Sequence, residues 1–272
     1  MGSNDIPPPH VPSHVVPTCN LFLQLGGSLW TLSYLLLIRE SFRSKSYGMP
    51  LFAVALNFAW EVVYALHVAE APLERLIFGL WVILDAIMVY GMMKFAKYEW
   101  AHSPAVAKNI VWIFGGMVVV AGGGHWSFAE WWIANEIGRR EGKYYMGVLG
   151  PDTTELGYWS AAVCQVYLSA SSLCQLGVRG HSGGVSWGIW FTRTAGSIIG
   201  FYFVYGWDWL FWREAHEYFL SPFGLFLWVT ALFCDLVYPF VLWEVQKAEV
   251  VLADGRKVAA HSAEAKGAAK KD

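Results

Sequence analysis

The sequence predicts an all-α polytopic membrane protein, a bundle of seven transmembrane helices with a lumenal N-terminus and a cytoplasmic C-terminus. Three observations carry this. The chain is 56% hydrophobic and 15% charged, with a mean hydropathy of +0.39, a balance that soluble domains rarely show. Apolar stretches of about 20 residues, the length that crosses a ~30 Å hydrocarbon core, recur seven times between short polar or Pro/Gly-bearing joints. The joints alternate in basic charge: thirteen of the 19 Lys and Arg residues fall on one side, five on the other, and one, Arg193, lies inside a span. Positive charge accumulates in short cytoplasmic loops, which sets the orientation.

Residues 1–19 contain Pro7, Pro8, Pro9, Pro12 and Pro17 and lack the basic start and cleavage site of a signal peptide, so they read as a flexible arm. The spans follow at 20–38, 49–68, 73–96, 106–124, 157–178, 185–205 and 222–245, within one membrane domain over 20–247. The connection at 125–156 is long enough to be functional or disordered. Its aromatic first part suits the outer interface, as a lid over the site, with Glu130 as a further polar candidate, or as a plain anchor. Residues 248–272, rich in Ala and Lys towards their end, have too little apolar content to build a core and read as a disordered cytoplasmic tail.

Two carboxylates stand where lipid-facing segments carry none: Glu61 in the second span and Asp235 in the seventh. An acid at the bilayer centre costs on the order of 2.5 to 3.5 kcal/mol, so an intramembrane acid implies function. At a rise of 1.5 Å per residue, Glu61 lies ~18 Å from the inner start of its span and Asp235 ~20 Å from the outer start of its own. Asp85 in the third span, ~18 Å from its outer start, reaches the same level. Three acids at one depth suggest one polar cavity. Each of the first two has a tyrosine three residues on, Tyr64 and Tyr238, on the same helical face. Asn57, Gln165 and Arg193 are further polar groups at this depth, and Arg193 either pairs with one of the acids or snorkels to the cytoplasmic face. Trp60, Trp81, Trp190 and Trp228 are placed deeply enough to line a cavity, and aromatic faces stabilise cations by roughly 2 kcal/mol or more in dry surroundings. A desolvated acid with aromatic walls suits a reaction through carbocations, with the acid as proton donor.

Other classes fit less well. The basic residues form no stripe for nucleic acid. The four cysteines show no CxxC or Cys/His ligand spacing, and His10 and His14 sit in a Pro-rich segment, so neither a metal nor another cofactor is expected. The last span has neither a lysine for a retinal Schiff base nor an NPxxY string. A proton-coupled small-molecule transporter using the same midplane acids is the main alternative.

The segments SYGMPLFAVALNFAWEVVYAL, MMKFAKYEWAHSPAVAKNI, AAVCQVYLSASSLCQL, WFTRTAGS and CDLVYPFVLW together resemble the fungal integral-membrane terpene cyclases of meroterpenoid and indole-diterpene biosynthesis. The resemblance runs in order over about residues 20 to 247. It implies a membrane-bound cyclase in which Glu61, within the NxxWExxY pattern, and Asp235 are the catalytic acids, one donating the proton and the other orienting it or assisting the final deprotonation. It also implies a hydrophobic prenylated substrate, often epoxidised, endoplasmic reticulum residence, and chemistry without Mg²⁺ and diphosphate. The sequence agrees in having no DDxxD motif, and it lacks DxDD as well. Neither the substrate nor the oligomeric state is legible.

Overall fold

A computed structural model describes residues 2–262 and residue 265. Nine α-helices follow in order among them: α1 Val15–Ser44, α2 Leu51–Val63, α3 Pro72–Glu99, α4 Pro104–Ala134, α5 Thr153–Arg179, α6 Trp187–Ser197, α7 Val204–Phe211, the single turn α8 Arg213–His216, and α9 Pro222–Ala248. Six of the helical segments are long and apolar enough to cross a membrane: α1, Leu51–Val68, α3, α4, α5 and α9. The stretch expected as the sixth span is divided. Helical dihedrals continue from α6 through a π-helical turn, Ile198–Phe203, into α7.

Local chemistry explains the boundaries. Proline opens α3, α4 and α9, where the first turn has no use for its missing N–H. Asp152 caps α5 by accepting from the backbone N–H of Thr154 at 3.0 Å and Glu155 at 2.9 Å, and Ser186 caps α6 through Ile189. Gly180 ends α5 in the left-handed conformation, φ 63°. Within the bundle α5 packs on α9, α2 on α4, and α1 on α6. The approach of α1 to α6 and the turn after it needs glycine: a Cβ on Gly26 would collide with the backbone of Gly200 and the carbonyl of Gly196.

The largest apolar cluster joins Tyr34 and Leu37 of α1, Met49 from the loop before α2, Val54 of α2, Met88 of α3, Phe114 of α4 and Ile189 of α6. At one end of the bundle Arg179 pairs with Glu99 at 3.1 Å, and Trp100 donates to Tyr47 at 2.9 Å. The opposite end gathers the N-terminal segment, the α4–α5 connection and α8.

Three stretches differ from expectation. The N-terminal arm is pinned: Val11, Val15 and Cys19 bury against Trp212 and Ala215, Ile6 N–H donates to the Gly142 carbonyl at 2.9 Å, and helix α1 already begins at Val15. The long connection is shorter than 125–156, because α4 continues to Ala134. Ala129 and Trp132 carry its apolar face onto Val63, Val68 and Leu156. The remainder holds a two-residue hairpin, Tyr144–Tyr145 with Val148–Leu149, and Glu130 pairs with His67 at 3.0 Å. Residues 249–259 of the supposed tail form an antiparallel hairpin, Glu249–Val251 with Lys257–Ala259. Glu249 and Lys257 both reach Ser182 beyond α5, at 2.9 and 2.7 Å. The rest of the tail, apart from residues 260–262 and 265, lies outside the described residues.

Lys143 explains why the end of the bundle that carries α8 holds together. Its side chain is 0% exposed, with Asp5 at 2.8 Å and Asp152 at 3.2 Å, while the Trp212 ring lies 4.6 Å from its Nζ. Such a pair is worth keeping only while both partners are present, since a lone buried charge costs several kcal/mol. His216 faces Lys143 through Nε2 at 3.5 Å and Tyr218 through Nδ1 at 2.8 Å. Burial, then the charges of Lys143 and Arg140, hold its imidazole well below the usual histidine value of 6.5. The folded protein therefore keeps His216 neutral while the unfolded chain takes up a proton. His216 thus costs no stability above about pH 6.5, and stability falls as pH drops below it. Thermal unfolding in detergent should show this acid-side loss in the wild type, and His216→Gln should flatten it.

Candidate active site

The second span carries Asn57 and Glu61 one turn apart, both directed at α1 and α3. Glu61 and Asp85 are each 0% exposed. Glu61 Oε1 accepts from Tyr34 Oη at 2.7 Å and from Asn57 Nδ2 at 2.9 Å. The same amide nitrogen lies 3.2 Å from Asp85 Oδ2 and 2.6 Å from Tyr34 Oη. Four polar side chains from three helices thus form one cluster, walled by Trp30 and Trp81, whose rings lie 5.9 and 6.3 Å from that of Tyr34. No cation pairs with either acid among the described residues.

Asp235 sits in a different network. Its Oδ1 receives Arg193 Nη2 at 2.8 Å, and its Oδ2 receives Ser169 Oγ at 3.0 Å and Gln165 Nε2 at 3.4 Å. Gln165 Oε1 in turn accepts from Ser197 at 3.1 Å. Arg193 is 4% exposed and Asp235 1%, so the arginine is an interior partner and does not snorkel. Its guanidinium lies 5.2 Å from the Tyr238 ring centroid. An enclosed space lined by Arg193, Trp190, Tyr238, Met49 and Val185 adjoins it, with volume for about one water molecule, and Arg193 Nε is buried there without a hydrogen-bond partner.

The main chain at Asp235 carries a further consequence of sequence. An α-helical carbonyl accepts from the N–H four residues on, and four residues after Asp235 stands Pro239, which has none. Trp190 Nε1 supplies the missing donor at 2.8 Å. The proline gap and the indole together bind α6 to α9 beside the acid.

The three acids of similar depth therefore divide: Glu61 and Asp85 with Tyr34 and Asn57 between α1, α2 and α3, and Asp235 with Arg193 between α5, α6 and α9. Among the described residues no hydrogen bond or ion pair joins the two networks. Tyr64 also departs from the i, i+3 expectation. The helix widens into a π-helical turn at Tyr64–Val68, and the Tyr64 hydroxyl reaches the Leu156 carbonyl of α5 at 3.4 Å. Trp60 turns the same way, donating to Ser160 at 3.0 Å. Tyr238 stays beside the Asp235 network through Arg193. Trp228 instead stacks on Phe219.

Tyr34 and Ser169 escaped the reading of the sequence. Tyr34 lies ~21 Å into its span at 1.5 Å per residue, too deep for an interfacial tyrosine, which is the signal that marks it. Ser169 follows Gln165 by one turn, on the same face. No group of three or more His, Cys, Asp or Glu side chains is arranged to hold a metal ion among the described residues. Chemically, one network offers carboxyl groups with no neighbouring cation and the other a carboxylate neutralised by arginine, both next to aromatic rings.

The sequence profile of the Pyr4-like transmembrane terpene cyclases matches residues 3–248. The chain is 44% identical over 256 residues to terpene cyclase ascF of Acremonium egyptiacum, spanning 94% of this chain and 92% of that protein. Terpene cyclase penB of Penicillium crustosum is 33% identical over 249 residues, and terpene cyclase ptmB of Penicillium ochrochloron 34% identical over 251, each spanning 89% of this chain and 93% of the relative. No solved structure matches. The transporter alternative finds no support among these relatives.

Trp190→Phe removes the substitute donor and leaves the Asp235 carbonyl unpaired in a buried setting, a loss of about 1–3 kcal/mol. Thermal unfolding of the detergent-solubilised variant should show a lower midpoint than the wild type.

Proposed function

Since the chain belongs to the Pyr4-like transmembrane terpene cyclases, we propose that Glu61 is the acid that starts the cyclisation and Asp235 the anion that steers the cation it produces. The protein is a membrane terpene cyclase acting on a hydrophobic prenyl substrate. The observation that carries the division of roles is the placement of the one intramembrane arginine. Arg193 pairs with Asp235 at 2.8 Å, and an acid paired with a guanidinium is a poor proton donor. Glu61 has no cation to hold it ionised, and a desolvated carboxyl without one retains its proton.

On this reading the Glu61 carboxyl gives its proton to a terminal epoxide oxygen or olefin carbon. Successive C–C bonds form as π electrons move towards the cationic carbon. A final C–H bond then breaks, so the product has the mass of the substrate. Asp235, fixed by Arg193, Ser169 and Gln165, orients the cation and assists that last deprotonation. The Trp and Tyr rings beside both networks favour the cation over water. The substrates that suit this scheme are long prenyl chains on an aromatic or polyketide-derived head, as in meroterpenoid and indole-diterpene pathways. The helical path through α6 and α7 completes a seven-span bundle with a lumenal N-terminus, cytoplasmic C-terminus and residence in the endoplasmic reticulum. Clustering of Arg179, Lys257 and Lys45 at one end of the bundle supports that orientation.

Microsomes carrying Glu61→Gln or Asp235→Asn, supplied with an epoxidised prenyl-aromatic substrate, should lose cyclised product by about 10²-fold or more, the typical contribution of a positioned acid or base. Mass spectrometry and NMR read the product; full cyclisation by both variants overturns the proposal.

A further inference from the structure

The Glu61 and Asp85 carboxyls are bonded on one side only. Glu61 Oε1 and Asp85 Oδ2 face the donors of Tyr34 and Asn57. Glu61 Oε2 and Asp85 Oδ1 are buried with no hydrogen-bond partner, and the two carboxyls meet at one amide nitrogen, Asn57 Nδ2, which lies 2.9 Å from Glu61 Oε1 and 3.2 Å from Asp85 Oδ2. The surroundings bring little compensation for two negative charges. The Asn57 amide has two hydrogens for three acceptors, Tyr34 has one, and neither residue is charged. Two ionised carboxylates on one amide nitrogen, without a cation and out of water, repel each other strongly in the resting site, and one proton held between them relieves the repulsion.

We propose that Glu61 and Asp85 form one acid unit that holds a single proton between its two carboxyls, with Asp85 the positioning residue that keeps it in place for transfer. The inference rests on the reading of Glu61 as the proton donor. Tyr34 and Asn57 complete the device. By donating to Glu61 Oε1 and Asp85 Oδ2, they leave Glu61 Oε2 and Asp85 Oδ1 as the oxygens open to the proton. In the transfer step the Glu61 O–H bond breaks as a new O–H or C–H bond forms on the substrate, and the second negative charge this leaves on the pair is offset by the carbocation created beside it. The C–H bond that breaks at the end of the cascade, with Asp235 assisting, releases one proton. No proton is consumed overall, and no further reactant is needed.

The test is Asp85→Asn in full-length protein, compared with wild type and Glu61→Gln by steady-state kinetics in microsomes and by infrared spectroscopy of the purified protein. Asp85→Asn should lower kcat about tenfold or more, within the range of general-acid contributions, with KM unchanged. The wild type should show the carbonyl band of a protonated carboxylic acid, and Glu61→Gln and Asp85→Asn should each shift or abolish it. Wild-type kcat together with an unmoved band in Asp85→Asn overturns the shared proton, even where Glu61→Gln is inactive and the wider reading stands. Full activity in Glu61→Gln overturns the wider reading instead. Should Asp85→Asn fail to accumulate, wild type and Glu61→Gln decide alone: a protonated-carboxyl band that Glu61→Gln leaves untouched overturns the proposal.

Discussion

The Arg193–Asp235 ion pair is the interaction around which the interior is arranged. A charge inside a bundle surrounded by lipid has no water to fall back on, so each polar atom must find its partner among neighbouring helices. With one arginine available at this depth, giving it to Asp235 leaves the other two acids without a cationic partner among the described residues. Ser169, Gln165 and Ser197 extend the pair across α5 and α6, and Trp190 ties α6 to the backbone of α9. The packing of α5 on α9 is thus polar at its centre and apolar around it, where Leu176, Val185 and Leu242 close over Tyr238.

Helix irregularity accompanies chemistry at both networks. The segment bearing Glu61 widens into a π-helical turn from Tyr64, and the segment bearing Arg193 does so from Ile198. A π-helical turn shifts the residues after it around the helix axis. In the first case Tyr64 reaches α5, as Trp60 does one turn before it, and the face beside Glu61 is met by Tyr34 of α1. In the second the turn includes Gly200, which with Gly196 of α6 lies against Gly26 of α1. Pro239 is a third irregularity, and its unfilled hydrogen bond is answered by a side chain.

The ends of the bundle obey different rules from its middle. Outside the apolar zone the helices are fixed by ion pairs and caps: Lys143 with Asp5 and Asp152 at one end, Glu99 with Arg179 and Glu249 with Lys257 at the other. This is why the Pro-rich start and the region after α9 are ordered where composition alone suggested loose chain. The start also buries Val11 and Val15 in an apolar cluster, and each region supplies a charge to a buried partner.

Much was legible in the sequence because the bilayer imposes it. Long apolar segments, begun at 73, 106 and 222 against observed helix starts at Pro72, Pro104 and Pro222, and acids at Glu61, Asp85 and Asp235 are read from the thickness of the hydrocarbon core and from the rarity of charge within it. Depth along a helix is a matter of counting residues. Rotation about the helix axis and the choice of neighbour are not, because they depend on packing and on local widening of the helix. Only the tertiary structure therefore decided that Arg193 belongs to Asp235, that Tyr34 and not Tyr64 meets Glu61, and that three acids at one level form two networks with opposite electrostatic character.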